Sequence, residues 1–170
     1  MNADDLRTLQ APLKDKYKAA PEAAFITLSA RGELDSDAVV CRVDTGRALV
    51  EAGLHPATGG TGALACSGNM LLDALVACAG VTLKAVATAI GFDLQSGVIS
   101  AEGDLDFRGT LGVAKDTPVG FSEIRLAFDL KTGEPQERIE QLIKLTERYC
   151  VVYQTLAKPA HLGLTVRTSA

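Results

Sequence analysis

The chemistry this chain can offer rests mainly on four cysteines: Cys41, Cys66, Cys78 and Cys150. A thiol can ligate a metal, form a structural bridge, act as a nucleophile or pack as a small hydrophobe. Their separations of 25, 12 and 72 residues contain no C-x-x-C and no closely spaced Cys/His pair, which argues against a zinc framework. The start, "MNADDLRTLQ", carries acids and lacks the basic, then apolar, run of a secretory signal, so a cytoplasmic protein is expected. In that reducing compartment an obligatory structural disulfide is disfavoured, which leaves inert packing thiols and redox-active ones. Cys41, in "VVCRV", reads as a strand-packing residue. Cys66 reads as a loop thiol or a third redox partner.

Cys78 lies inside "LLDALVACAGVTLKAVATAIG", residues 71 to 91, a nearly uninterrupted apolar stretch. At about 100° per residue, Leu71, Ala74, Leu75, Val81, Thr82 and Ala85 fall within about 60° of Cys78, whereas Asp73 and Lys84 lie about 120° or more away. Cys78 is therefore expected to face the core. An apolar site alone raises a thiol's pKa, so reactivity requires an outside cation. Arginine suits that role because its charge is permanent and its fork can hold both a thiolate and a peroxide oxygen. Candidates are Arg31, Arg42 and Arg47. The second thiol, Cys150 in "ERYCVVYQTLAK", follows a helical break and is expected near a helix N-terminus, which favours thiolate. Cys78 and Cys150 are thus a candidate dithiol pair. Leu71, Leu75 and Thr82 would line the approach for an apolar substrate, with His55 of "LHPATGG" at the mouth; a local loop hydrogen bond is the simpler role for His55.

These residues need elements to hold them. Residues 1 to 20 read as an amphipathic helix or arm interrupted by Pro12. "AAFITLSARGEL" and "DAVVCRVDTGRALVEAG", broken at Arg31-Gly32, Asp35-Ser36-Asp37 and Asp44-Thr45-Gly46, suggest a three-stranded antiparallel meander. "LHPATGGTGALACSG" is a glycine-rich loop into a long helix over about residues 69 to 90. "GVISAEGDLDFRG" and "FSEIRLAFDLK" alternate apolar and polar residues as half-buried strands, the first with Asp104, Asp106 and Arg108 on its wet face. A helix begins around Pro135, in its first turn, with Ile139, Leu142, Ile143 and Thr146 on its inner face. A short helix follows from about Cys150 to Lys158, and "HLGLTVRTS" closes the chain as a strand. The order lacks a β-α-β-α rhythm, so the fold class is α+β with antiparallel sheets around the long helix.

At 170 residues the chain suits one domain or a domain with an arm, and its division is an arm over 1–22 and a body over 23–170. Apolar residues at 47% and charged residues at 22% exclude a disordered or fibrous class. A net charge of −4 supplies neither a basic stripe for nucleic acid nor a polybasic membrane anchor. The 71–91 stretch has the length of a membrane span, but Asp73 and Lys84 would be costly in hydrocarbon, so a core helix is expected. No dinucleotide, P-loop, nucleophile-elbow or metalloprotease motif is present.

The helix-borne Cys78 in "LLDALVACAGVTLKAVATAIG", "RYCVVYQTL" with Cys150 about seventy residues later, and the order of elements around them resemble the osmotically inducible protein C and organic hydroperoxide resistance proteins. The resemblance runs from about residue 23 to 168. It implies an intertwined homodimer in which sheets from both chains wrap two central helices. It further implies a thiol peroxidase of oxidative stress defence, acting on organic hydroperoxides with no metal or organic cofactor. Cys78 would form a sulfenic acid, Cys150 would resolve it as a disulfide, and a thiol or lipoyl-type reductant would reopen the bridge. Arg31, in the turn after the first strand, would be the activating cation. Two positions depart from the pattern: Gly68 stands where the family carries the glutamate that orients the arginine, and Val151 stands where proline often follows the second thiol. They keep open an alternative, a non-catalytic small-molecule-binding or redox-sensing protein of the same fold with packing thiols.

Overall fold

The computed structural model describes residues 3–34, 41–43, 52–166 and 168, with side chains for 8, 10–27, 53–166 and 168. The first helix, α1, spans Ala3–Ala19 and runs through Pro12 instead of being interrupted there. Pro12 and Thr8, four residues earlier, are both exposed, so the carbonyl that loses its donor lies on the wet side. Tyr17 anchors the end of α1: its side chain is buried with Ala24, Ala57, Phe107 and Leu111, and its hydroxyl donates to the Ala57 carbonyl at 2.8 Å.

Strand β1, Phe25–Leu34, pairs antiparallel with β2, Cys41–Val43. The expected break at Arg31-Gly32 does not occur; both residues lie inside β1, Arg31 opposite Ser100. The ladder's hydrogen bonds along an eleven-residue neighbour overrule the local glycine signal. The other two expected breaks, at Asp35-Ser36-Asp37 and Asp44-Thr45-Gly46, fall outside the described residues. Of the third expected strand only its end, β3 (Ala52–Gly53), lies among the described residues. It pairs in parallel with β4, Ala65–Cys66, inside the stretch expected to be loop, and the two form a separate small sheet.

Helix α2, Ser67–Ala89, follows directly. Beyond it come β5 (Ser96–Asp106), the single turn α3 (Phe107–Thr110) and β6 (Phe121–Lys131), giving a main sheet of order β2-β1-β5-β6 with every pair antiparallel. Gly103 of β5 leaves room for a neighbour's ring, since a Cβ there would come within 2.5 Å of Phe121. On the wet side, Asp104 accepts from Arg125 at 2.6 Å and from Thr27 at 2.7 Å, contacts that hold its carboxyl down at about 2. Asp106, expected on that wet face, is buried. It caps α3 through the Arg108 backbone N–H and pairs with the Arg108 guanidinium, because the strand ends there.

Pro135 caps α4, Gln136–Tyr149, from just outside rather than lying in its first turn. Leu142 and Thr146 of α4 are buried, and Leu142 packs with Leu83, Ala87 and Phe92. Arg138 donates to the carbonyls of Gly91 at 3.0 Å and Ile90 at 3.3 Å, closing the C-terminal end of α2, and pairs with Glu134. A second short helix, α5, spans Val151–Ala157. The segment expected as a closing strand is not one over residues 161 to 166; Leu162, Leu164 and Val166 are all exposed, with no strand paired to them among the described residues.

By length and composition α2 could cross a membrane. One face is nevertheless a core face: Leu72, Leu75, Val76 and Ala79 are buried with Ile99 and Ala101 of the sheet.

Candidate active site

Cys78 sits at the edge of that core face, half-buried and packed against the same cluster. Of the neighbours expected to share a core with Cys78, Leu75 is buried with Leu72, Val76, Ala79, Leu83 and Ala87, and Thr82 is half-buried, whereas Leu71, Ala74, Val81 and Ala85 stand exposed. Apolar residues stand on both the sealed and the open face, so composition did not separate the two; the sheet and α4 did.

What half-covers Cys78 is the junction of α4 and α5. Cys150 has extended backbone angles, φ −73° and ψ 106°, which end α4 and begin α5. Its N–H donates to the Thr146 carbonyl at 2.9 Å, and its sulfur accepts the Tyr153 N–H at 3.5 Å, so the thiol itself caps α5. Cys150 is only 1% exposed and packs in the same cluster as Leu72, Val76 and Ala79.

This places two free thiols in hydrogen-bond contact. Burial pushes the Cys78 thiol up. The Val152 N–H, the Cys150 thiol, the Thr82 hydroxyl and the Val151 N–H, all hydrogen-bonded to its sulfur, pull it further the other way and leave it below its ordinary value. Cys150 moves oppositely: burial pushes it up to about 11, the Tyr153 N–H only partly counters this, and its hydrogen bond to Cys78 holds its proton in place. The start of α5 therefore favours thiolate as expected, but it prevails only on Cys78, because burial and the neighbouring sulfur outweigh it at Cys150. Donors absent from sequence reasoning are the two backbone N–H groups of Val151 and Val152. The helical break at "RYCVVY" signalled them, yet a linear reading assigns a helix start to its own residues rather than to a side chain crossing from α2.

Of the other expected site residues, Thr82 touches the Cys78 sulfur, as an i+4 side chain leaning back along the helix should. Leu75 is buried and lines a cleft of about 500 Å³ with Phe121, Ile124, Phe128, Tyr153 and Leu156; Glu147 is at its edge. Leu71 is 39% exposed on the Cys78 face. His55 makes its contacts in the second cluster: Nδ1 accepts the Ala57 N–H at 3.0 Å, and the ring stacks on Phe107 at 4.9 Å. Burial lowers its pKa, consistent with that acceptor role. Arg31 has its backbone in β1, but its side chain lies outside the described residues, as do those of Arg42 and Cys41 and the whole of Arg47. Cys66 begins α2 twelve residues before Cys78, roughly 18 Å along the helix, beyond direct disulfide reach. Beside Gly68, the buried Asn69 Oδ1 has no partner among the described residues. Among the described residues, no three His, Cys, Asp or Glu side chains gather to hold a metal ion.

The chain is similar in fold to the crystal structure of an OsmC-like hydroperoxide resistance protein from Jannaschia sp. CCS1. The TM-score is 0.63 at 14% identity, over 85% of this chain and 95% of that one. No curated protein matches it. Residues 60–165 match the family described as OsmC-like protein, a stretch that holds α2, the sheet strands β5 and β6, and both thiols. The chain belongs to the OsmC-like protein family.

Proposed function

We propose that this protein is a cysteine-based peroxidase that reduces organic hydroperoxides. The observation that carries the reading is the hydrogen-bonded Cys78–Cys150 pair, with one thiol eased toward thiolate and the other held protonated. Attack by the Cys78 thiolate on the terminal peroxide oxygen gives a sulfenic acid and an alcohol; Cys150 then displaces that oxygen and closes a disulfide. A thiol or lipoyl-type reductant reopens it. The hydroperoxide resistance activity in the name of the similar Jannaschia protein agrees with this reading.

The site residues divide by role. Cys78 and Cys150 do the chemistry, and Arg31, whose backbone lies in β1, is the residue assigned to supply a cation to the thiolate or peroxide. Leu71, Leu75 and Thr82 border the approach, and His55 secures the loop that leads into α2. The exposed apolar face around Cys78, including Leu71 and Val81, supports a homodimer built face to face across α2. Residues 23–170 form the body and 1–22 an arm. A cytoplasmic setting, in which reductant is at hand, suits the chemistry.

The start of α2 lacks an acid in its first turn. That favours the second reading, a binding or redox-sensing protein with packing thiols. Brief stoichiometric cumene hydroperoxide, followed by intact and peptide mass analysis, separates the two. The peroxidase loses about 2 Da, the two hydrogens of a new disulfide, with a Cys78–Cys150 crosslink that forms faster than with hydrogen peroxide. An unchanged mass, or slow oxidation without that crosslink, rejects it.

A further inference from the structure

A resolving thiol attacks as its thiolate, yet Cys150 is the thiol this fold keeps protonated. Burial and the neighbouring Cys78 sulfur, packed against the same cluster, both hold its proton in place. Cys150 is 1% exposed, so bulk base does not reach it readily. Release of that proton inside the site, during the reaction, frees the nucleophile.

The first step produces a base able to take it. When the O–O bond of an alkyl hydroperoxide breaks, the departing alkoxide is strongly basic and needs a proton. Among the described residues, four groups touch the Cys78 sulfur: the N–H groups of Val151 and Val152, the Thr82 hydroxyl and the Cys150 thiol. Backbone N–H groups donate hydrogen bonds but do not surrender protons. A threonine hydroxyl is about as weak an acid as the alcohol being formed, so transfer from it gains nothing. The thiol is a far stronger acid than that alcohol and sits at the reacting atom.

We propose that Cys150 acts twice: its thiol first gives its proton to the alkoxide leaving from the hydroperoxide, and the thiolate so formed then attacks the Cys78 sulfenic acid. This rests on the peroxidase reading above. The bookkeeping of atoms closes. The Cys78 thiolate forms a bond to the terminal oxygen, the O–O bond breaks, and two electrons pass from sulfur to the peroxide. The alkoxide takes the Cys150 proton and departs as alcohol. The Cys150 thiolate then forms the S–S bond and expels hydroxide, which solvent protonates. Resolution is thereby timed, because the resolving nucleophile appears only once there is a sulfenic acid to resolve.

The test is single-turnover oxidation of Cys78, quenched with acid and a dimedone-type trap and read by mass as sulfenic-acid adduct plus Cys78–Cys150 disulfide, for pre-reduced wild type, Cys150→Ala and Cys150→Ser. Two oxidants are compared: tert-butyl hydroperoxide, whose leaving alkoxide needs a proton, and peracetic acid, whose leaving acetate does not. Rates are expressed per Cys78 thiolate, from an ultraviolet thiolate titration of each variant. Both variants are expected to slow the tert-butyl hydroperoxide reaction by about 100-fold or more, the usual scale of a lost general acid, while the peracetic acid rate stays nearly unchanged. Cys150→Ser keeps a capping oxygen for α5, so its far-ultraviolet dichroism and melting separate loss of the acid from loss of the fold. Equal slowing with both oxidants, or no slowing with either, overturns the proposal and leaves the peroxidase reading standing. A wild type inert to both oxidants overturns the peroxidase reading itself.

Discussion

On one face of α2, Leu72, Leu75, Val76, Ala79, Leu83 and Ala87 are sealed against the sheet and α4; on the other, Leu71, Ala74, Val81 and Ala85 stand open around Cys78. Both faces are built from leucine, valine and alanine. Hydrophobic composition therefore says that each face wants cover and not which receives it from its own chain. The sealed face holds the fold together. The open face leaves a thiol within reach of solvent, and it is there that the start of α5 supplies hydrogen bonds to sulfur.

The contrast can be broken most forcefully from the sealed side. Leu72→Ala should destabilise the chain by about 2–5 kcal/mol, the range for removing a fully buried leucine side chain, measured by urea unfolding of the reduced protein. A loss comparable to an exposed-site substitution would mean the buried face was misassigned. On the open side, Val81→Asp should leave the helical dichroism intact and, in light scattering, shift the proposed dimer to monomer, because a desolvated carboxylate is costly at an apolar contact. Collapse of the fold would place Val81 in the core, and an unaltered dimer would place the subunit contact elsewhere. Thr82, between the two faces, gives the smallest effect and the sharpest test of the site. Removing one hydrogen bond worth about 1 kcal/mol in Thr82→Val should raise the Cys78 pKa by somewhat under one unit. The thiolate fraction near neutral pH then falls, since a thiol whose pKa has risen ionises later. A thiolate titration that does not move would remove Thr82 from the site.

The pattern of legibility follows from what fixes each feature. β5 and β6 were readable because alternation of period two is a local property of half-buried strands. α2 was readable within two residues at its start because an apolar run of that length has few other fates. Arg31-Gly32 misled because a strand between two partners tolerates a glycine that would end an isolated one. The "HLGLTVRTS" alternation resembles β5, yet among the described residues no strand pairs with residues 161 to 166; a local pattern expresses a preference for pairing and does not supply the partner.

The residue types and their order already contain the two thiols, the apolar helix that carries one of them and the break that carries the other. Those features depend on side-chain chemistry and short-range periodicity, which a linear chain displays. Which thiol the start of α5 serves, which face of α2 is sealed, and why Cys150 keeps its proton depend on distances between residues about seventy positions apart. Electrostatic and hydrogen-bond effects on a sulfur act over a few ångströms of space, so the direction of each thiol's shift came into being only when α4 and α5 closed over α2.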